Sequence, residues 1–263
     1  MKFRREPTIN TTPTPSPVKR SFFRWDPLAT IAVVALVFLL SQIAAQAIIS
    51  AYPAYKNWTG PQSEAWLQDS VYAQFIYILL AETFAVWLVL KIIRRLKVSK
   101  QKIGLVLPRL RDIAYALVGY GVYFVGYIII LVLVSRFSHL DTEQAQNIGF
   151  TNTPANQLYL VFISLVVLPP IGEEILFRGF LFTSFRQKFR FRYAVVLTSI
   201  LFGIAHLQFG NGAPLLWVAA LDTFTLSCVL CTLREKSGSL WPGIYLHALK
   251  NGIAFVALFH TKF

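Results

Sequence analysis

Val166-Val167-Leu168-Pro169-Pro170-Ile171-Gly172-Glu173-Glu174-Ile175-Leu176-Phe177-Arg178 is the stretch on which the fold turns. It lies inside an apolar run, about 156–185, that is long enough to cross a hydrocarbon core, for which a helix needs about 20 residues. Two acids and an arginine stand in its middle. Ionisable groups at membrane depth cost several kcal/mol unless they are paired or hydrated, so a spanning segment that keeps three of them points to function. The two prolines remove backbone donors and predict a kink at the same place.

Working outward, comparable runs lie at about 28–51, 71–92, 113–134, 193–208, 214–233 and 240–259. With the proline-interrupted run they make seven crossings. The expected fold is therefore all-α: a polytopic membrane helix bundle of about seven transmembrane helices, with the active site inside the bundle. Composition agrees. Of 263 residues, 56% are hydrophobic and 14% charged, whereas a soluble domain carries roughly 25% charged residues. That excludes a water-soluble globular protein and a disordered chain. Three regions follow: a disordered basic cytoplasmic tail at 1–26, rich in Thr and Pro, N-terminal transmembrane helices at 27–154, and a catalytic transmembrane core at 155–263.

The formal net charge of +13 would suit nucleic acid until the charges are placed. They cluster between the runs: in the tail, at Lys91, Arg94, Arg95, Lys97, Lys100, Lys102, Arg109 and Arg111, at Arg186, Lys188, Arg190 and Arg192, and at Arg234 and Lys236. In the seven-crossing arrangement all of these share one side, leaving Lys56, Arg136 and Lys262 opposite. The positive-inside rule then makes the N-terminus cytoplasmic, and anionic lipid accounts for the basic surface. No nucleic acid is needed. Without a targeting peptide, a bacterial plasma membrane is the expected location.

The remaining ionisable groups fall within the runs. Glu174 and Arg178 are i,i+4 neighbours on a helix and can neutralise one another. Glu173, about 100° further round, is free to face another surface and to act as a base. Phe202-Gly203-Ile204-Ala205-His206 puts one imidazole deep in the fifth run, and His247-Ala248-Leu249-Lys250-Asn251 sets an imidazole and a carboxamide one turn apart. Counting from the basic ends at about 1.5 Å per residue puts Glu173, His206, His247 and Asn251 within roughly one or two turns of each other in depth. A base, proton carriers and donors for an oxyanion are the parts needed to add water to an amide. Glu82, Asp222 and Lys250 are expected to be interhelical partners, and Gln42 and Gln46 interhelical hydrogen-bonding groups. Cys228 and Cys231 lie in an apolar helix without a second pair and are expected to be small buried side chains. His-Glu-x-x-His, Gly-x-Ser-x-Gly and P-loop patterns are missing. No cofactor is expected; two imidazoles and a carboxylate, His206, His247 and Glu173, could hold zinc with one open position, although the spacing does not demand it.

Glu-Glu-x-x-x-Arg at 173–178, Phe-x-x-x-His at 202–206 and His-x-x-x-Asn at 247–251 together resemble the CAAX-protease and bacteriocin-processing family, also called Abi, of membrane endopeptidases. Ser239-Leu240-Trp241-Pro242-Gly243 resembles the usual lead-in to the third motif. The likeness covers about 155–260. It implies an intramembrane peptidase of the glutamate type that uses no catalytic metal. Glu173 would activate the attacking water with help from His206, His247 and Asn251 would stabilise the oxyanion, and Glu174 with Arg178 would hold the site together. Relatives cut prenylated proteins, serve bacteriocin maturation or self-immunity, or act as scaffolds. The implied substrate is a peptide or lipid-anchored protein in the membrane. The alternatives are a non-catalytic scaffold or immunity protein that retains the fold, and an ion-coupled carrier using Glu82, Asp222 and Lys250.

Overall fold

The computed structural model describes residues 26–137, 144, 149–150, 153–207 and 215–260; the expected tail at 1–26 lies almost wholly outside them. Eight helices carry the described chain. They are α1 (Pro27–Ile49), α2 (Gly60–Asp69), α3 (Val71–Arg95), α4 (Leu110–Phe137), α5 (Ala155–Lys188), α6 (Phe191–Ala205), α7 (Trp217–Ser237) and α8 (Trp241–Phe259). All but α2 occupy the seven apolar runs, and the chain is an all-α polytopic membrane bundle. Five segments are long and apolar enough to span by length and composition: Pro27–Tyr55, Val71–Arg95, Leu110–Arg136, Ala155–Lys188 and Trp217–Ser237. Helix α6, with 15 residues, is only about 22 Å long. Helix α8 has 19 residues and carries polar groups along one side.

Local sequence explains the helix ends. Asp26 caps α1 by accepting from the backbone N–H of Leu28 and Ala29, with Pro27 in the first turn, where its missing donor costs nothing. Thr59 and Gln62 form a reciprocal capping box at the start of α2. That helix buries none of its residues and sits beside a cluster of Tyr52, Trp58 and Trp66, an aromatic group of the kind found at membrane interfaces. Gly238, at φ 70°, ends α7 in the left-handed conformation that glycine adopts without strain.

Helix α5 is the centre of the bundle, packed against α1, α3, α6, α7 and α8. Outer faces of α1 and α4 expose Leu39, Ile43, Val118, Val122 and Ile129, the apolar surface a lipid-facing helix presents. At the basic end, the connection after α3 is tied beneath α7 and α8. Leu240 N–H donates to Gly104 O at 3.0 Å, Trp241 Nε1 to Val106 O at 2.6 Å and Arg234 Nη2 to Lys102 O at 2.9 Å.

The expected interruption at Pro169-Pro170 takes a different form. Helix α5 does not break; it widens. Residues Ile163–Val167 and Glu174–Leu181 are π-helical, flanking an α turn at Leu168–Glu173. A π turn bonds i to i+5 and appears most often at functional sites. All eight residues of the second π segment are buried, and they include Glu174 and Arg178.

Candidate active site

Three helices carry the predicted side chains. Glu173 and Glu174 come from α5, His206 stands at the C-terminal cap of α6, and His247 and Asn251 come from α8. Glu173 Oε2 lies 4.0 Å from His206 Nε2 and 3.9 Å from His247 Nε2. Glu173, His206 and His247, from separate runs of sequence, thus meet at one point. Glu173 keeps about a quarter of its surface accessible, and its Oε2 has no hydrogen-bond partner in the protein.

The second glutamate has another environment. Glu174 Oε1 pairs with Arg178 Nη1 at 2.8 Å, and both side chains are almost fully buried. The guanidinium carbon lies 4.2 Å from the centre of the Phe202 ring, within cation–π range. Phe202 also touches the ring of Phe177, edge-on at 4.9 Å, and stands 4.6 Å from the His206 ring. The first residue of Phe-x-x-x-His is therefore a wall shared by the ion pair and the imidazole. His247 spans the two glutamates, with Nδ1 3.6 Å from Glu174 Oε1. A spacing count alone did not reveal that bridge. Gly243 permits it: a Cβ there would stand 2.6 Å from Glu174 Oε2, so α8 approaches α5 only with glycine at this point.

His206 has its orientation fixed by its own helix. Its Nδ1 lies 2.8 Å from Phe202 O. A carbonyl can only accept, so Nδ1 carries the proton, and in the neutral ring the Nε2 lone pair faces Glu173.

Asn251 has a role absent from the spacing argument. Its Nδ2 donates to Leu165 O at 2.9 Å. In an α register that carbonyl would be served by residue 169, and in a π register by residue 170. Both are proline and have no N–H. The carboxamide from α8 takes over a backbone acceptor that α5 cannot satisfy itself, as is required where no water is at hand. One N–H of the amide remains for other use.

Other expectations fare unevenly. Asp222 and Lys250 pair at 2.7 Å between α7 and α8, and Tyr123 of α4 donates to Asp222, so both are interhelical partners. Gln42 of α1 accepts from Tyr77 of α3 at 2.5 Å. Gln46 instead donates to Ser50, one turn along on the same stretch of chain. Among the described residues Glu82 has no ion pair or hydrogen bond to another helix; it stands on the wall of a cavity of about 410 Å³ that Glu173 and His206 also line. Cys228 and Cys231 are free thiols, the second fully buried. No group of three or more His, Cys, Asp or Glu side chains among the described residues has the spacing of a metal site.

Comparison with known proteins agrees with the motifs. Residues 155–253 match the family model described as Type II CAAX prenyl endopeptidase Rce1-like, so the resemblance to the CAAX-protease family holds over this segment. The chain is also 29% identical to an Escherichia coli protein named "Uncharacterized 24.3 kDa protein" over 129 residues, 48% of this chain and 55% of that one. It is 30% identical over 92 residues to "Putative membrane peptidase YdiL" of Bacillus subtilis (strain 168), covering 35% of this chain and 34% of that one. The chain thus spans about half or less of the length of these relatives. No solved structure matches it.

Proposed function

We propose that this membrane bundle is an intramembrane endopeptidase of the CAAX-protease kind, hydrolysing a peptide bond of a membrane-associated or prenylated peptide with a water activated by Glu173. The observation that carries this reading is the position of Glu173 Oε2: within 4.0 Å of two imidazole nitrogens, without a hydrogen bond of its own, beside an apolar cavity. A water at about 2.8 Å from each of these groups would bridge them.

In this reading Glu173 takes a proton as the water oxygen adds to the carbonyl carbon. The C–N bond then breaks, and the proton passes to the leaving amine. The Nε2 lone pair of His206 is free to accept a hydrogen bond from the same water. His247 and the second N–H of Asn251 face the developing oxyanion from α8, the arrangement that lowers such barriers most. Glu174 and Arg178 fix the π segment that begins directly after Glu173. The chemistry draws on side chains alone and calls for no metal or cofactor. The partners are membrane lipid and a peptide or lipid-anchored protein. The clustered basic ends support a cytoplasmic N-terminus, and this reading takes a bacterial plasma membrane as the location.

The test uses purified protein in liposomes with a farnesylated peptide and its unlipidated twin. Wild type cuts one or both; Glu173→Gln and His206→Ala cut neither while remaining folded. Cleavage that survives Glu173→Gln overturns the mechanism. Full rescue of a deletion phenotype by Glu173→Gln would assign the scaffold role instead.

A further inference from the structure

Glu82 is the acid that the mechanism above leaves unused. It stands midway along α3, about 20 Å from the basic end at Arg95 when counted at 1.5 Å per residue. Its carboxylate presses on Gly172, the residue before Glu173, so closely that a Cβ at position 172 would collide with Oε2. The cavity shared by Glu82, Glu173 and His206 runs along α1 from Ile31 to Gln42, about 17 Å by the same count. Its wall is otherwise mostly apolar. Gln42 and Ser41, its neutral polar groups, are already engaged, with Tyr77 and with Phe38 O.

No Lys or Arg is among the described residues that line this cavity. Two carboxyl groups therefore share one apolar space with the His206 imidazole and no Lys or Arg, although the chain as a whole carries an excess of 13 positive charges. An intramembrane acid that faces a cavity without a Lys or Arg partner marks a candidate substrate path. A cationic group placed there would gain from both carboxylates in a poor solvent, whereas an anionic one would be repelled.

We propose that Glu82 is a specificity-determining residue that receives a basic side chain, Lys or Arg, of the substrate within about three residues of the scissile bond. The distance follows from its contact with Gly172, because an extended peptide advances about 3.3–3.6 Å per residue and a lysine reaches across one or two such steps. This inference rests on the peptidase reading and narrows its substrate class to peptides with a cation beside the cut.

The experiment maps new peptide termini in membranes carrying wild type, Glu82→Gln, Glu82→Lys or Glu173→Gln. Cuts that vanish in Glu173→Gln define the enzyme's own sites. In wild type these sites should be enriched in Lys or Arg within three residues. Glu82→Gln should lower the ratio of basic-flanked to neutral-flanked cuts at least tenfold, and Glu82→Lys should turn the preference toward Asp and Glu. A second measurement needs no variant. A synthetic peptide built on the most abundant of these cut sites should lose at least tenfold in kcat/KM when its flanking Lys or Arg becomes norleucine. Glu173-dependent cuts whose flanking charge is indifferent to position 82, or a peptide cut equally well with norleucine, overturn this inference and leave the peptidase reading intact. The absence of any Glu173-dependent terminus overturns both.

Discussion

Replacing Asn251 by Ala tests how α5 survives its two prolines. The bond lost is Nδ2 to Leu165 O, 2.9 Å long. Hydrogen bonds between membrane helices are worth about 0.6 kcal/mol on average and about 1.7 at most, because the unfolded helix in the membrane finds other partners. The Leu165 carbonyl is an exception to that averaging. Residues 169 and 170, the two that could serve it within its own helix, are prolines in the unfolded state as well. The loss should therefore lie near the upper end, about 1.4–1.7 kcal/mol, or roughly a 10- to 18-fold shift in the folding equilibrium. The assay is reversible unfolding in mixed micelles for Asn251→Ala, Pro169→Ala and the pair. Alanine at 169 restores an N–H within reach of Leu165 O, so the second substitution should recover at least half of what the first removes. Additivity within about 0.5 kcal/mol would refute this account of Asn251.

Further outcomes follow from the same geometry. Arg178→Met leaves Glu174 buried without its partner and should cost about 3–5 kcal/mol; thermal unfolding measures it, and Glu174→Gln added to Arg178→Met should restore part of the loss. Gly203→Ala places a Cβ 2.9 Å from the backbone carbonyl of Ala220, where no flexible group can give way. It should destabilise by about 1–3 kcal/mol and lower cleavage as α6 shifts His206; wild-type stability in this variant would refute the close approach of α6 to α7. Lys250→Met strands Asp222 within the bundle and should cost about 2.5–3.5 kcal/mol, and adding Asp222→Asn should return most of it, as read from the unfolding midpoint.

Much of the site is visible in the sequence because its chemistry is costly where it stands. An apolar run that retains Glu173, Glu174 and Arg178 advertises itself, and counting residues from the basic ends brings His206 and His247 to within about one or two turns of Glu173 in depth. Helix existence is equally plain, since seven long apolar runs leave few other solutions. What escapes is azimuth and register. A periodicity of 3.6 residues cannot foresee that α5 flanks its prolines with π turns, which rotate Glu173 and Glu174 relative to the rest of the helix. Nor can it foresee that Asn251 turns to Leu165 O. In hindsight one signal was present: adjacent prolines deprive Leu165 O of both its α and its π donor, so a polar side chain on a neighbouring helix was to be expected. Glu82 shows the opposite case. It looked like an interhelical partner because most intramembrane acids are, and only its position beside Gly172 separates it from Asp222, which does pair with Lys250. Helix α2 lies outside the apolar runs and left no mark on a count of crossings.

The most direct test of the central claim compares peptide N- and C-termini in membranes holding equal amounts of wild type and of Glu173→Gln. The account predicts a set of termini present with wild type and lost with the variant. Identical profiles from the two folded proteins would contradict it.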